Sequence, residues 1–332
     1  YYFDKSNENQ GYQVAILKYF FESVYWRAFS QHMVHYNPKS WFSLIFHAYS
    51  RGVMRTLTPA LIFMTIFAAG LCYLLLDVLR FHESDFHTTI SMHSLLGIVL
   101  GLFLVFRTNS SYDRWWEGRK LWGSLVNNTR NLALKLNAIL PESDLDNRKW
   151  FSAMIPNFVF ATKEHLRAGT KLAELAVVSP DFLENLKSVN HIPNRLSSMM
   201  YSRINTLYKN GELTGDQLFL VDKELKEFTD IMGACERIRN TPIPYNYSMY
   251  IKQFIFIYLI TLPFAFVTTS GYITIPIVTL VTFVLLSVEL IAEEIEDPFG
   301  LDINDLPTDE LAVKIDDNVR EILLPPQSAK TE

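Results

Sequence analysis

Several groups of residues in this sequence have the type and spacing to do chemistry, and most lie at the margins of apolar runs. Ser94, Ile98 and Leu102 recur every fourth residue, so on a helix they form one stripe. Copies of that stripe around an axis would make stacked, mostly apolar rings, which close to water and hydrated ions unless the tube widens. The commoner use of such a stripe is helix packing or lipid contact. Glu289 and Glu293, also four apart, end another apolar run, where carboxylates need cations or water to satisfy them. Arg107 and Arg114 leave the stripe-bearing run at a matching level and are the expected partners. Downstream, Asp297, Asp302 and Asp305 belong to an acidic stretch with oxygen ligands for a weak calcium site. It lacks EF-hand spacing, and a solvated acidic turn explains it more simply. His82, Glu83, Asp85, His87 and His93 cluster in the chain but fit no metal-binding spacing. There is no phosphate-binding glycine loop, HExxH, GxSxG or Ser/His/Asp arrangement, so no enzyme is expected.

The elements that must position these residues are membrane helices. Of the 332 residues 49% are hydrophobic, a middling average that hides strong segregation into charge-free runs and a charged middle. Residues 57–76 carry no charge over the length a helix needs to cross hydrocarbon. Residues 88–106, 254–269 and 273–288 give three more spans, the last two joined by a tight hairpin at Gly271. Gly97 and Gly101 form a GxxxG pair that lets backbones approach in lipid. Arg51, Arg55, Arg107, Arg114, Arg119, Lys120 and Lys252 all flank one side of these spans. The two candidate outer loops hold only Arg80, so both termini and the middle segment are expected in the cytoplasm of a multi-pass cell-membrane protein. Trp115 and Trp116 among those arginines read as an interfacial belt.

The middle segment repeats apolar residues at helical spacing (Leu121, Leu125, Leu132, Leu136; Leu218, Val221, Leu225, Phe228) and is expected to be a helical cytosolic domain. Helix starts are read at Ser143 and Thr214, with Pro141, Pro156, Pro180 and Pro193 separating pieces. The fold class is therefore all-α and integral to the membrane. Residues 1–32 form an N-terminal extension or fusion remnant, 33–56 an amphipathic cytosolic helix, and 57–106 the first two spans. Residues 107–247 form the cytosolic domain, 248–291 the last two spans, and 292–332 an acidic segment and tail. A net charge of −5 offers no basic field for nucleic acid. Two cysteines, Cys72 and Cys235, make neither a disulfide framework nor a metal motif.

Three segments in order, GLFLVFRTNSSYDRWWEGRKLWG (101–123), CERIRNTPIPYNY (235–247) and EEIEDPFGLDINDLP (293–307), resemble the bacterial branch of the bestrophin family. The resemblance implies a homopentamer of four-span subunits, with itself, membrane lipid and monovalent ions as partners, beside a fused N-terminal partner if residues 1–32 belong to one. It implies a passive channel whose neck falls on Ser94, Ile98 and Leu102 and whose inner constriction falls on Leu218. Chloride and other monovalent anions are the implied cargo. The alternatives are monovalent-cation selectivity, as in some bacterial relatives, or a membrane-anchored scaffold. Calcium, held after a Pro-Phe-Gly motif in animal relatives, is the one implied cofactor. Ile303 replaces a carboxylate of that pattern here, which weakens the site.

Overall fold

Charge-free runs, an interrupting glycine and proline-marked helix starts translate into nine α-helices among the described residues of the computed structural model. The structure describes residues 51–80 and 87–325, and those described residues contain no strand. In chain order the helices are α1 (Arg51–Tyr73), α2 (His87–Ile139), α3 (Leu145–His165), α4 (Phe182–Lys187), α5 (Ile192–Lys209), α6 (Gly215–Asn240), α7 (Tyr245–Ser270), α8 (Thr274–Glu296) and α9 (Thr308–Leu323). Among the described residues, three segments are long and apolar enough to cross a membrane: Arg55–Val78, Ile90–Ile139 and Tyr245–Glu296. The last is folded into α7 and α8 by a single 3-10 turn, Gly271–Ile273. Gly271 has φ +54, a left-handed conformation that a side chain disfavours, so glycine makes the reversal there.

Helix α2 is the axle of the molecule. Its 53 residues, at 1.5 Å each, run about 80 Å without interruption. The expected boundary at residues 106/107 falls inside it. Apolar residues give way to charged ones there, yet no proline breaks the backbone; the solvent changes and the helix does not. One end of α2 packs against α7 and α8, which bring α1 into the same apolar core around Met64, Ala68, Leu100, Leu104, Ile255, Leu259 and Val278. The other end lies in a second core with α3, α5, α6 and α9, built on Trp122, Leu132, Leu136, Phe151, Phe158 and Phe228.

Local signals worked unevenly. Thr214 caps α6 through a full capping box with Gln217. The cap of α3 is Asp144, which accepts from the Asn147 amide, one residue beyond the expected Ser143. Pro156 separates nothing: it sits inside α3, buried in the second core, where tertiary packing outweighs its local penalty. The N-terminal readings, 1–32 and most of 33–56, lie outside the described residues, as do His82, Glu83 and Asp85.

Candidate functional site

The membrane half of α2 has two unlike faces. One is gripped. His93 is buried, its Nε2 3.3 Å from the Tyr258 carbonyl and 3.2 Å from the Thr261 hydroxyl. A Cβ on Gly97 would stand 2.9 Å from the Tyr258 hydroxyl, so α7 closes directly on this glycine. Gly101 meets nothing within 4 Å, so the GxxxG pair does not act as a unit inside the chain. Leu100 and Leu104 continue the gripped face into the apolar core. The opposite face is bare. Ser94 is exposed, with its hydroxyl turned back to the Ile90 carbonyl at 3.0 Å, while Ile98 is 72% and Leu102 56% exposed.

Where α2 leaves the apolar core, Arg107 is 1% exposed and faces two carboxylates of α8. Its Nη1 lies 2.7 Å from Glu296 Oε2 and donates to the Ser111 hydroxyl at 3.2 Å. Its Nε stands 3.6 Å from Glu289 Oε1, an ion pair without a hydrogen bond. Glu296 also takes the Ile243 amide on Oε1 at 2.9 Å, tying α8 to the start of α7. Glu293 does not join the arginines; it pairs with Lys252 at 2.9 Å.

Arg114 differs from expectation too, since its guanidinium goes to main-chain carbonyls. It donates to Glu296 at 2.9 Å, and to Thr241 and Ile238 at 2.6 Å each. Those carbonyls are the unsatisfied, partly negative C-terminal ends of α8 and α6, where a cation is stabilised. The signal for Glu296 was present in the sequence. It lies seven residues after Glu289, two turns along the same face, whereas Glu293 points about 40° away.

The loop after α8 seats against α2. A Cβ on Gly118 would meet the Phe299 ring and the Leu306 side chain at 3.2 Å, so only glycine lets the Pro298-Phe299-Gly300 turn lie this close. The Trp115 indole donates to the Asn304 carbonyl at 2.9 Å, and the Asn304 amide donates to Glu294 at 2.5 Å. Asp305 accepts the Asp302 amide on Oδ2 at 2.6 Å, while its Oδ1 is buried with no hydrogen-bond partner among the described residues. Burial, then the charges of Asp302, Asp297 and Glu294, push the Asp305 carboxyl up to about 7. Asp302 and Ile303 are exposed.

A second charge cluster, which no spacing announced, pins α9 to the end of α3. Asp309 takes Lys163 at 2.7 Å and Arg167 at 2.7 Å, and Glu164 takes Arg167 at 3.0 Å and Lys171 at 2.7 Å. Burial alone would raise the Asp309 carboxyl, but hydrogen bonds from Arg167 and Lys163 outweigh it and hold it at about 2. At the start of α6, Leu218 packs against the cytosolic core, whereas its neighbour Phe219 is 77% exposed.

The Bacterial/Fungal Bestrophin protein family matches residues 32–321. A voltage-dependent anion channel-forming protein of Nostoc sp. is 40% identical over 230 residues, covering 68% of this chain and 75% of its own. The voltage-dependent anion channel-forming protein YneE of Escherichia coli K12 is 32% identical over 231 residues, covering 69% and 75%. Among solved structures, a point variant of a bacterial bestrophin homolog from Klebsiella pneumoniae superposes with a TM-score of 0.73. It is 28% identical and covers 81% of this chain and 99% of that one.

Proposed function

This chain belongs to the bacterial and fungal bestrophin family, and we propose that it is one subunit of a homopentameric channel passing chloride and other monovalent anions. In this reading the chain crosses the membrane four times, through α1, the first part of α2, α7 and α8, with both termini on the cytoplasmic side. Five copies of α2 stand around the axis. The single observation that carries the reading is the bare face of α2. Ser94, Ile98 and Leu102 point away from every other described helix of their own subunit, on an element whose opposite face buries His93, Leu100, Leu104 and Arg107. Facing an axis, Ile98 and Leu102 form the apolar rings that stop hydrated ions unless the neck opens, with Ser94 making the outermost ring less apolar. Arg107 and Arg114 hold that helix against α8 and α6 and do not line the path. In the cytosolic part we assign the inner constriction to the start of α6, with Phe219 presented outward and Leu218 supporting it from the core.

Anion selectivity follows the relatives, which carry the name of voltage-dependent anion channel-forming proteins. Nothing on the proposed neck is charged, so selectivity there would rest on dehydration and pore width. Calcium is not part of the proposal. A resident Ca²⁺ takes six to eight oxygen ligands, whereas this loop offers one buried unpartnered oxygen, on Asp305. Glu294 is occupied by Asn304, and Asp302 is turned to solvent. Among the described residues this loop supplies no closed set of six to eight oxygens.

The test is purified full chain in planar bilayers under a potassium chloride gradient. The expected result is a current reversing near the chloride equilibrium potential, with gating altered in Ile98→Ala. Reversal near the potassium potential would assign cation selectivity instead. Silence from both proteins across voltage and salt would favour a membrane-anchored scaffold.

A further inference from the structure

The cytosolic domain contains one group of side chains that neither packing nor the proposed pore uses. His165 is the last residue of α3, His191 the N-cap of α5, and Glu236 lies on α6. Separated widely in sequence, they converge: His165 Nε2 lies 2.6 Å and His191 Nε2 2.9 Å from the same oxygen, Glu236 Oε1. The two imidazole rings sit 4.4 Å apart, and the three donor atoms all lie within 4.8 Å of one another. Among the described residues no other trio of histidine, cysteine or carboxylate side chains converges in this way.

We propose that His165, His191 and Glu236 form a binding site for a divalent transition-metal ion of the zinc class, fixed between α3, α5 and α6. Two imidazoles and one carboxylate are a donor set that Zn²⁺ accepts, with water in the remaining tetrahedral position. All three side chains are half-buried, so water reaches that position. Bonds of about 2.0–2.2 Å require donor atoms roughly 3.3 Å apart. The two His–Glu contacts therefore need to open by less than an ångström.

The protons balance. Each imidazole now turns Nε2 to the carboxylate, and His191 Nδ1 accepts the Asn194 amide at 3.3 Å. Metal binding at Nε2 moves each ring proton to Nδ1, so His191 gives up that long capping bond as it gains the metal. The scaffold is otherwise set: Arg239 donates to the His165 and Arg167 carbonyls, which fixes the end of α3 and aims its charge at backbone oxygens.

The experiment uses the full chain in detergent, stripped with a chelator, desalted and titrated with Zn²⁺ by calorimetry, with bound metal counted after gel filtration. The readout is metal, not current, so it stands apart from the channel reading. Wild type is expected to hold one Zn²⁺ per chain at this site and to unfold at a higher temperature when loaded, because the ion binds only the folded trio. His165→Gln and His191→Gln should each weaken that affinity at least tenfold, and the double variant should lose the zinc-dependent thermal shift. Glutamine keeps an amide to face Glu236, so these variants are expected to elute from gel filtration like wild type. Co²⁺ substitution gives a second measure, an intense visible band in wild type that disappears in the double variant. Equal zinc affinity in wild type and the double variant, or no thermal shift in wild type, would overturn the assignment.

Discussion

Replacing Asp305 by asparagine should stabilise the protein, and only on the alkaline side. The Asp305 carboxyl titrates at about 7 in the folded chain against 3.8 for the free group, a difference of roughly three pH units. At about 1.4 kcal/mol per unit the native state carries an upper figure of about 4 kcal/mol of strain when this group is ionised. Solvent on the open side of the loop screens the neighbouring charges, so about 2 kcal/mol is the working expectation. The sign follows from proton binding. Between pH ~4 and ~7 the folded state holds the proton more tightly than the unfolded chain, so stability falls as pH rises through that window and levels off above it. The asparagine amide imitates the protonated side chain, keeping an oxygen for the Asp302 amide, and removes the slope.

Thermal unfolding followed by tryptophan fluorescence is a suitable assay, because the Trp115 indole is hydrogen-bonded to this loop. The variant and wild type should unfold together near pH 3.5 and separate by a few degrees near pH 8. Millimolar Ca²⁺ should leave the wild-type profile unchanged. A gain of equal size at both pH values, a loss at pH 8, or a wild-type profile flattened by Ca²⁺ would refute the reasoning, the last by showing that the loop collects a cation after all.

Arg107→Met leaves the Glu289 and Glu296 carboxylates buried without their cation and should destabilise the folded subunit by about 3–5 kcal/mol. Adding Glu289→Gln to it should recover part of that loss in denaturant titrations, and no recovery would disprove the coupling. Asp309→Asn should lose about 1–2 kcal/mol at neutral pH. In wild type that contribution is present above pH ~4 and is lost as pH falls toward ~2, so the two acid-unfolding curves should converge there. The Cys235 thiol, buried and pushed up to about 12, should resist alkylation by iodoacetamide at pH 8 in native protein and react on unfolding; fast native labelling would contradict its burial.

What could be read in the sequence divides along physical lines. The apolar segments were legible because hydrocarbon tolerates almost no charge over such a length, and Gly271 marked the hairpin because a reversal that tight needs a left-handed residue. The continuity of α2 was hidden, since a change from Phe106 to Arg107 looks the same in sequence whether a helix ends or only its surroundings do. Partner choice was half-visible: spacing favours Glu296 as much as Glu289, but only packing shows that Lys252 claims Glu293 and that Arg114 prefers carbonyls. Leu218 and Phe219 show how one step along a helix changes the surroundings of an apolar side chain. Both are apolar, and the helical rotation between them decides which faces the core. His191 and Glu236 stand 45 residues apart and His165 and Glu236 stand 71 apart, so no local pattern could join them.

The orientation of the bare face follows from the gripped one. At 3.6 residues per turn, Ile98 and Arg107 lie about 180° apart around α2. A helix in hydrocarbon gains little from choosing one apolar face over another, because lipid tails and leucine side chains are alike. Leu100 and Leu104 alone would therefore leave the rotation of α2 loosely specified. Arg107 removes that freedom. A turn of one residue would carry its guanidinium about 100° away from Glu289 and Glu296 and leave the buried Arg107 and Glu289 charges unpaired, a penalty far larger than any repacking of leucines. The buried ion pairs are poor contributors to net stability, yet they specify register, and register is what keeps Ile98 and Leu102 pointed away from the subunit's other described helices.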